Sequence, residues 1–183
     1  MRLFTAIDLP PDVLGALTRL LERLKPTARL KWSPPENLHI TTKFIGEWPE
    51  QRRVELESAL RGLGAFDPIP ICLRGLGFFP NPHAPRVFWV GVEAGPGLAE
   101  LARRTDAALA RLGVPAETRP FSPHLTLARI KEPVPLAGLR QAIAQLETVE
   151  FGAFFADRFH LYLSELRPAG SVYTKLSEFR FAP

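Results

Sequence analysis

The chain has 183 residues, 46% of them apolar and 23% charged, and carries a formal net charge of +4 with a pI near 9.6. That length supports one domain or two small lobes around a real core, and the mild basic excess suits a polyanionic ligand without demanding one. No apolar run approaches the ~18–20 residues of a membrane span, and the opening MRLFTAIDLPPD, broken by Asp8, is too short in its apolar part for a signal peptide.

Arg2–Leu9 alternates and is rich in β-formers, so it reads as a strand ended by Pro10-Pro11. Asp12 to Leu24 places Val13, Leu14, Leu17, Leu20, Leu21 and Leu24 at helical spacing, which predicts an amphipathic helix closed by Pro26. Arg29–Trp32 predicts a short strand, Ser33-Pro34-Pro35 a turn, and Leu38–Ile45 a further strand released at Gly46. Pro49 to Leu63 is the second predicted helix. Ile69–Phe79 and Arg86–Val92 are strands joined by a proline-rich surface loop from Pro80 to Pro85. Leu98 to Leu112 is the third helix, with Gly113 just past its end. His124–Ile130 is a strand, Leu136–Leu146 a shorter helix, and Val149–Phe155, Arg158–Ser164 and Val172–Phe181 are the last strands. This order predicts an α+β fold with antiparallel or mixed sheets and outer helices. Two similar lobes related by a pseudo-twofold axis, with a central cleft, are expected within one domain spanning 1–183, because nothing between them reads as a linker.

Two segments repeat a pattern. His39-Ile40-Thr41 lies in NLHITTKFIG, and His124-Leu125-Thr126 lies in SPHLTLARI, 85 positions later. With four histidines and ten threonines in the chain, two such pairs arise by accident in roughly 2% of cases. Each pair also follows a proline-containing turn and has isoleucine six positions after the histidine, at Ile45 and Ile130. In a strand, residues i and i+2 share a face, so each imidazole stands beside a hydroxyl while Ile40 and Leu125 turn inward. Two imidazoles divide naturally into a proton donor and an acceptor near neutral pH, and threonine hydroxyls suit phosphate oxygens. By strand parity Lys43 shares the face of His39. Arg129 falls on the face opposite His124 and reaches the site only if a bulge redirects it.

These motifs, with the opening RLFTAIDLP and the closing LYLSELRPAGSVYTKLSEF, resemble the 2H phosphoesterase superfamily over nearly the whole chain. Within it the chain is similar to the bacterial and archaeal RNA 2′,3′-cyclic phosphodiesterases, also called 2′-5′ RNA ligases. The resemblance implies a bilobal, metal-independent enzyme without cofactor that hydrolyses a terminal 2′,3′-cyclic phosphate on RNA to a 2′-phosphomonoester. It assigns His39 as proton donor, His124 as proton acceptor, and Thr41 and Thr126 as phosphate ligands, and it implies ATP-independent 2′-5′ ligation as a secondary activity. Position 42 is Thr where the family often has an aliphatic residue; it is expected to face inward.

Arg129 and Lys43 are the candidate cationic ligands, and Phe121, Trp32, Tyr162 and Tyr173 are candidate base-stacking residues. His83 and His160 read as structural, with no threonine two positions on. No histidine spacing suggests a metal site, and neither Ser122 nor Ser164 lies in a nucleophile-elbow context. The rival reading is a non-catalytic RNA- or nucleotide-binding module, which would need no pair of titrating imidazoles. Cys72, the only cysteine, allows no disulfide and reads as a small buried hydrophobe. A cytoplasmic monomer acting on RNA ends or oligonucleotides with 2′,3′-cyclic phosphate, with no membrane partner, is the expectation.

Overall fold

The structure, a computed structural model, describes residues 1–181. Nine strands and four helices are seen among them: β1 Arg2–Ile7, α1 Pro11–Leu24, β2 Lys31–Trp32, β3 Ile40–Glu47, α2 Arg53–Arg61, β4 Ile69–Phe79, β5 Val87–Ala94, α3 Pro96–Ala110, β6 His124–Arg129, α4 Ala137–Ala144, β7 Glu150–Ala156, β8 Arg158–Arg167 and β9 Gly170–Arg180. The element types match the sequence expectation throughout. Boundaries differ mainly at α2, whose predicted first turn is a 3-10 turn at Glu50–Arg52. Gly113 takes a φ of +97°, the left-handed backbone expected just past a helix end.

The strands form two sheets, one ordered β3-β1-β8-β9 and the other β2-β6-β5-β4-β7. All pairings are antiparallel. Each H-x-T strand belongs to a different sheet, and β3 and β6 touch. The helices cross over. α1 follows β1 of the first sheet yet packs on β7 of the second, and α3 follows β5 of the second yet packs on β3 of the first. This exchange merges the two halves into one core that runs from Leu3, Ile7 and Ile40 through Leu17 and Leu21 to Val90 and Leu125. Every residue of β1 after Arg2 is buried, as expected of a strand covered on both faces.

Both site strands depart from strict alternation at equivalent places. β1 pairs Thr5 with Lys43 and Ala6 with Thr41, so Thr42 is an extra residue. β5 pairs Phe88 with Ala128 and Trp89 with Thr126, so Leu127 is an extra residue. Each is a β-bulge immediately after the threonine of H-x-T, and each reverses the side-chain parity beyond it. Thr42 does face inward, and its hydroxyl meets that of Thr5 at 2.7 Å in a buried position. The bulge is thus held by a pair of hydroxyls that satisfy each other.

Replacing Thr42 by Val leaves the Thr5 hydroxyl buried without a partner and is expected to cost ~1–3 kcal/mol in denaturant unfolding. The Thr5→Val/Thr42→Val double variant, which removes both partners, is expected to recover most of that loss. A double variant as unstable as the sum of the singles would show that the hydroxyl pair does not hold the bulge.

Candidate active site

His39 and Thr41 from one sheet and His124, Thr126 and Arg129 from the other line a single cavity of about 600 Å³. His39 stands one residue before β3, and His124 opens β6. Arg2, Ser33, Asn37, Ser164, Ser171 and Tyr173 complete its polar wall, and the lining contains no Asp or Glu.

The two imidazoles are fixed in the same way. His39 Nδ1 lies 2.6 Å from the carbonyl oxygen of Asn37, and His124 Nδ1 lies 2.9 Å from that of Ser122, each two residues back along its own chain. A carbonyl only accepts, so Nδ1 carries the proton that donates to it, and Nε2 is left to exchange protons with a ligand. His39 Nε2 lies 2.9 Å from Thr41 Oγ1. When His39 is neutral, the Thr41 hydroxyl donates to it. When His39 is protonated, the direction reverses and the hydroxyl proton is freed for another acceptor.

Aromatic rings hold both histidines. Phe4 stacks on His39 at 4.8 Å and Tyr173 meets its face edge-on at 5.3 Å, while Phe79 stands edge-on to His124 at 5.0 Å. Burial is the largest influence on the His39 pKa and pushes it below the ordinary histidine value, with Arg129 and His124 adding to the effect. The Asn37 carbonyl and the Asp8 carboxylate oppose it. Asp8 remains anionic: burial pushes its carboxyl up, but hydrogen bonds from Lys175 and Tyr162 outweigh that and hold it below the usual range. Tyr162, stacked on Phe4 at 5.2 Å, in turn has its hydroxyl pushed well above the ordinary tyrosine pKa by burial and by Asp8.

The bulges decide where the cations go. Arg129 is turned onto the face of His124 and Thr126 by the extra Leu127, so the redirection that parity required is present. The first bulge has the opposite consequence for Lys43. Strand parity placed it beside His39, but beyond Thr42 it points to the helix side. There its side chain is only 2% exposed, and its ammonium donates to Asp106 at 2.8 Å, the Pro115 carbonyl at 2.9 Å and Glu117 at 3.1 Å. Lys43 therefore ties β3 to α3 and the loop beyond it; it does not line the cavity that holds both histidines, but belongs to the wall of an adjoining one with Thr41 and His124. Its neighbour Phe44 takes the site-facing position instead, 61% exposed and lining that cavity.

Phe44 and Arg129 each follow their histidine by five positions. The equal offset was visible in the sequence, but its meaning depended on the bulges.

Phe121 lines an adjoining, larger cavity of about 770 Å³ with Phe44, Phe79 and Arg119, and that cavity meets the first at Thr41 and His124. Trp32 is not at the rim: it meets Phe88 edge-on at 6.0 Å and its Nε1 donates to the Ala28 carbonyl at 3.1 Å. Tyr162 lies behind Phe4, and only Tyr173 of the two tyrosines reaches the cavity. His160 is buried between Asp8 and Glu178, and His83 is exposed in the proline-rich loop. Cys72 is half-buried in β4. Among the described residues no cluster of His, Cys, Asp and Glu is placed to hold a metal ion, and no helix is long and apolar enough to cross a membrane.

The sequence matches the LigT-like phosphoesterase family twice, over residues 7–89 and 90–173. It is 37% identical to the RNA 2′,3′-cyclic phosphodiesterase of Methanothermobacter thermautotrophicus, covering 98% of both chains. It is 36% identical to the protein of that name from Methanocaldococcus jannaschii, over 98% of this chain and all of the relative. Among solved structures, a Thermus thermophilus protein superposes with a TM-score of 0.84 at 35% identity, covering 99% of this chain and 98% of that one. Escherichia coli LigT in complex with 3′-AMP superposes with a TM-score of 0.78 at 25% identity, over 100% of this chain and 98% of that one.

Lys43→Ala strips a buried ammonium from Asp106 and is expected to cost ~3 kcal/mol of stability, the lower end for breaking a buried pair because Glu117 is partly exposed. The KM of the folded variant is expected to stay near that of the wild type. A variant of unchanged melting temperature and raised KM would return Lys43 to the ligand-binding residues.

Proposed function

The chain belongs to the LigT-like phosphoesterase family, and on that premise we propose that it opens the terminal 2′,3′-cyclic phosphate of RNA to a 2′-phosphomonoester, using two histidines and no metal. The observation that carries this reading is the duplicated H-x-T geometry: two imidazoles anchored through Nδ1, each followed by a threonine, line one cavity that has two arginines and no carboxylate.

The residues divide the work between the two sides of the phosphorus. A water attacks on the side away from the bond to O3′, and His124 Nε2 takes its proton. The P–O3′ bond breaks, its electron pair goes to O3′, and His39 Nε2 supplies the proton that makes this the 3′-hydroxyl. The hydroxyls of Thr41 and Thr126 donate to the two non-bridging oxygens, and Arg129 offsets the charge that builds there. His39 ends neutral and His124 protonated, and solvent restores both. A 5′-hydroxyl in place of the water would give a 2′-5′ linkage without ATP, because the cyclic ester is already activated. One bilobal domain acting as a cytoplasmic monomer suffices, since both halves of the site lie in one chain.

The depressed pKa of His39 fits an acid that gains its proton together with the substrate. A phosphodiester anion entering the cavity stabilises the imidazolium and reverses the penalty of burial.

The direct test is incubation of an oligonucleotide ending in 2′,3′-cyclic phosphate with the protein plus EDTA; a 2′-phosphate end is expected, and its absence would sink the hydrolase reading. The pH profile tests the assignment of the acid. The kcat/KM profile reports the free protein, where His39 loses its proton below the ordinary histidine value of ~6.5. The limb set by His39 should therefore lie at lower pH in kcat/KM than in kcat, which reports the complex with the anion bound. Asp8→Asn removes a charge that favours the imidazolium and should move the kcat/KM limb lower still. These limbs belong to coupled groups, yet coincident limbs for kcat and kcat/KM, unmoved by Asp8→Asn, would contradict His39 as the acid.

A further inference from the structure

The edge strand β2 is two residues long, and its register pairs Lys31 with Arg129 and Trp32 with Ala128. Trp32 and Ala128 turn into the core. Lys31 therefore shares with Arg129 the face that leads into the phosphate cavity. Lys131 follows two residues beyond Arg129, and all three side chains are exposed.

Like charges directly opposite each other on a sheet are destabilising, and here a third is added. The Lys31 ammonium is held below the usual lysine pKa chiefly by Lys131, and further by Arg129. Eleven of the other twenty lysines and arginines are matched, among them Arg74 with Glu93 and Glu150, Arg103 and Arg104 with Glu100, Arg158 with Asp157 and Glu178, and Lys175 with Asp8. Among the described residues, Lys31, Arg129 and Lys131 make no ion pair. Glu132, next in the chain, lines a separate cavity with His83 and Arg140. Three unmatched cations on one face, continuous with a cavity free of carboxylates, call for an anion with more than one charge.

We propose that Lys31, Arg129 and Lys131 form a track for the phosphodiester backbone of the RNA strand that leads to the reacting phosphate. This rests on the RNA reading of the same site. It makes Arg129 the junction: one end of the track touches the terminal phosphate, and Lys31 and Lys131 hold the phosphates behind it. The site therefore prefers a strand to a mononucleotide, by contacts that are ionic and blind to sequence.

The test uses two probes that need no turnover: a ten-nucleotide single-stranded RNA ending in a 2′-phosphate and labelled at its 5′ end, and adenosine 2′-phosphate as competitor. Wild-type protein should bind the RNA more tightly than the mononucleotide. The Lys31→Gln/Lys131→Gln variant should bind the RNA about tenfold more weakly at about 0.1 M salt, with the log–log salt slope reduced by about 1.4, near 0.7 for each lost contact. Its affinity for adenosine 2′-phosphate should be unchanged, and its melting temperature equal or higher, since repulsion is relieved. Equal wild-type affinity for the two probes, or a variant with unaltered RNA affinity and salt slope, would overturn the track. So would a variant that loses both probes alike, because the lysines would then act on the phosphate site itself. Wild-type protein that shows the strand preference but leaves a cyclic phosphate intact would support the track and sink the hydrolase reading alone.

Discussion

A β-strand shows its side chains alternately to two faces, and one extra residue reverses every assignment beyond it. The site depends on two such insertions, Thr42 after Thr41 and Leu127 after Thr126. Before each bulge, the histidine and threonine share the cleft face as simple alternation requires. After it, the fifth residue from the histidine is brought to that face. In one sheet that residue is Arg129, and in the other it is Phe44. The pseudo-symmetric frame is thereby made unsymmetrical at this position: one half places a cation there and the other an exposed aromatic face, while Arg2 of β1 adds a second cation to the lining. The buried hydroxyl pair of Thr5 and Thr42 and the triply bonded ammonium of Lys43 secure the first bulge from behind.

The electrostatics follow from what surrounds the cavity of the two histidines. Its wall has arginine and hydroxyls but no carboxylate, so an anion enters without repulsion. His39 is stacked between aromatic rings and loses solvent, which favours its neutral form. Asp8 acts through space from behind the Phe4–Tyr162 stack and limits that loss. On the proposed mechanism, burial that disfavours the imidazolium and a bound anion that favours it would together couple protonation to substrate arrival. Lys31 and Lys131 likewise make no ion pair among the described residues.

Much of this was legible in the sequence. The two H-x-T segments identify themselves by recurrence, and period-two alternation puts His39 with Thr41 and His124 with Thr126. Proline, glycine and the helical spacing of leucines located all the helices and strands. What was not legible is the effect of pairing partners. A bulge exists only relative to a neighbouring strand, so the inward turn of Lys43 could not be read from its own segment. The arrival of Arg129 required a bulge that nothing in HLTLAR declares. Trp32 reads as a rim aromatic because it precedes the first motif, yet the register with Ala128 sends it into the core. The crossing of α1 and α3 to opposite sheets is likewise tertiary: their amphipathic faces state what they bury, not against which sheet.

The central claim is that His39 and His124 operate as one unit on a single phosphate. The most direct measurement is the single-turnover rate of cyclic phosphate opening on RNA for His39→Ala, His124→Ala and the double variant, alongside wild type. Each single substitution is predicted to cost at least ~10²-fold, and the double variant little more than the slower single, because groups that act together are not additive. A single variant that keeps near wild-type turnover, or losses that multiply in the double variant, would contradict it.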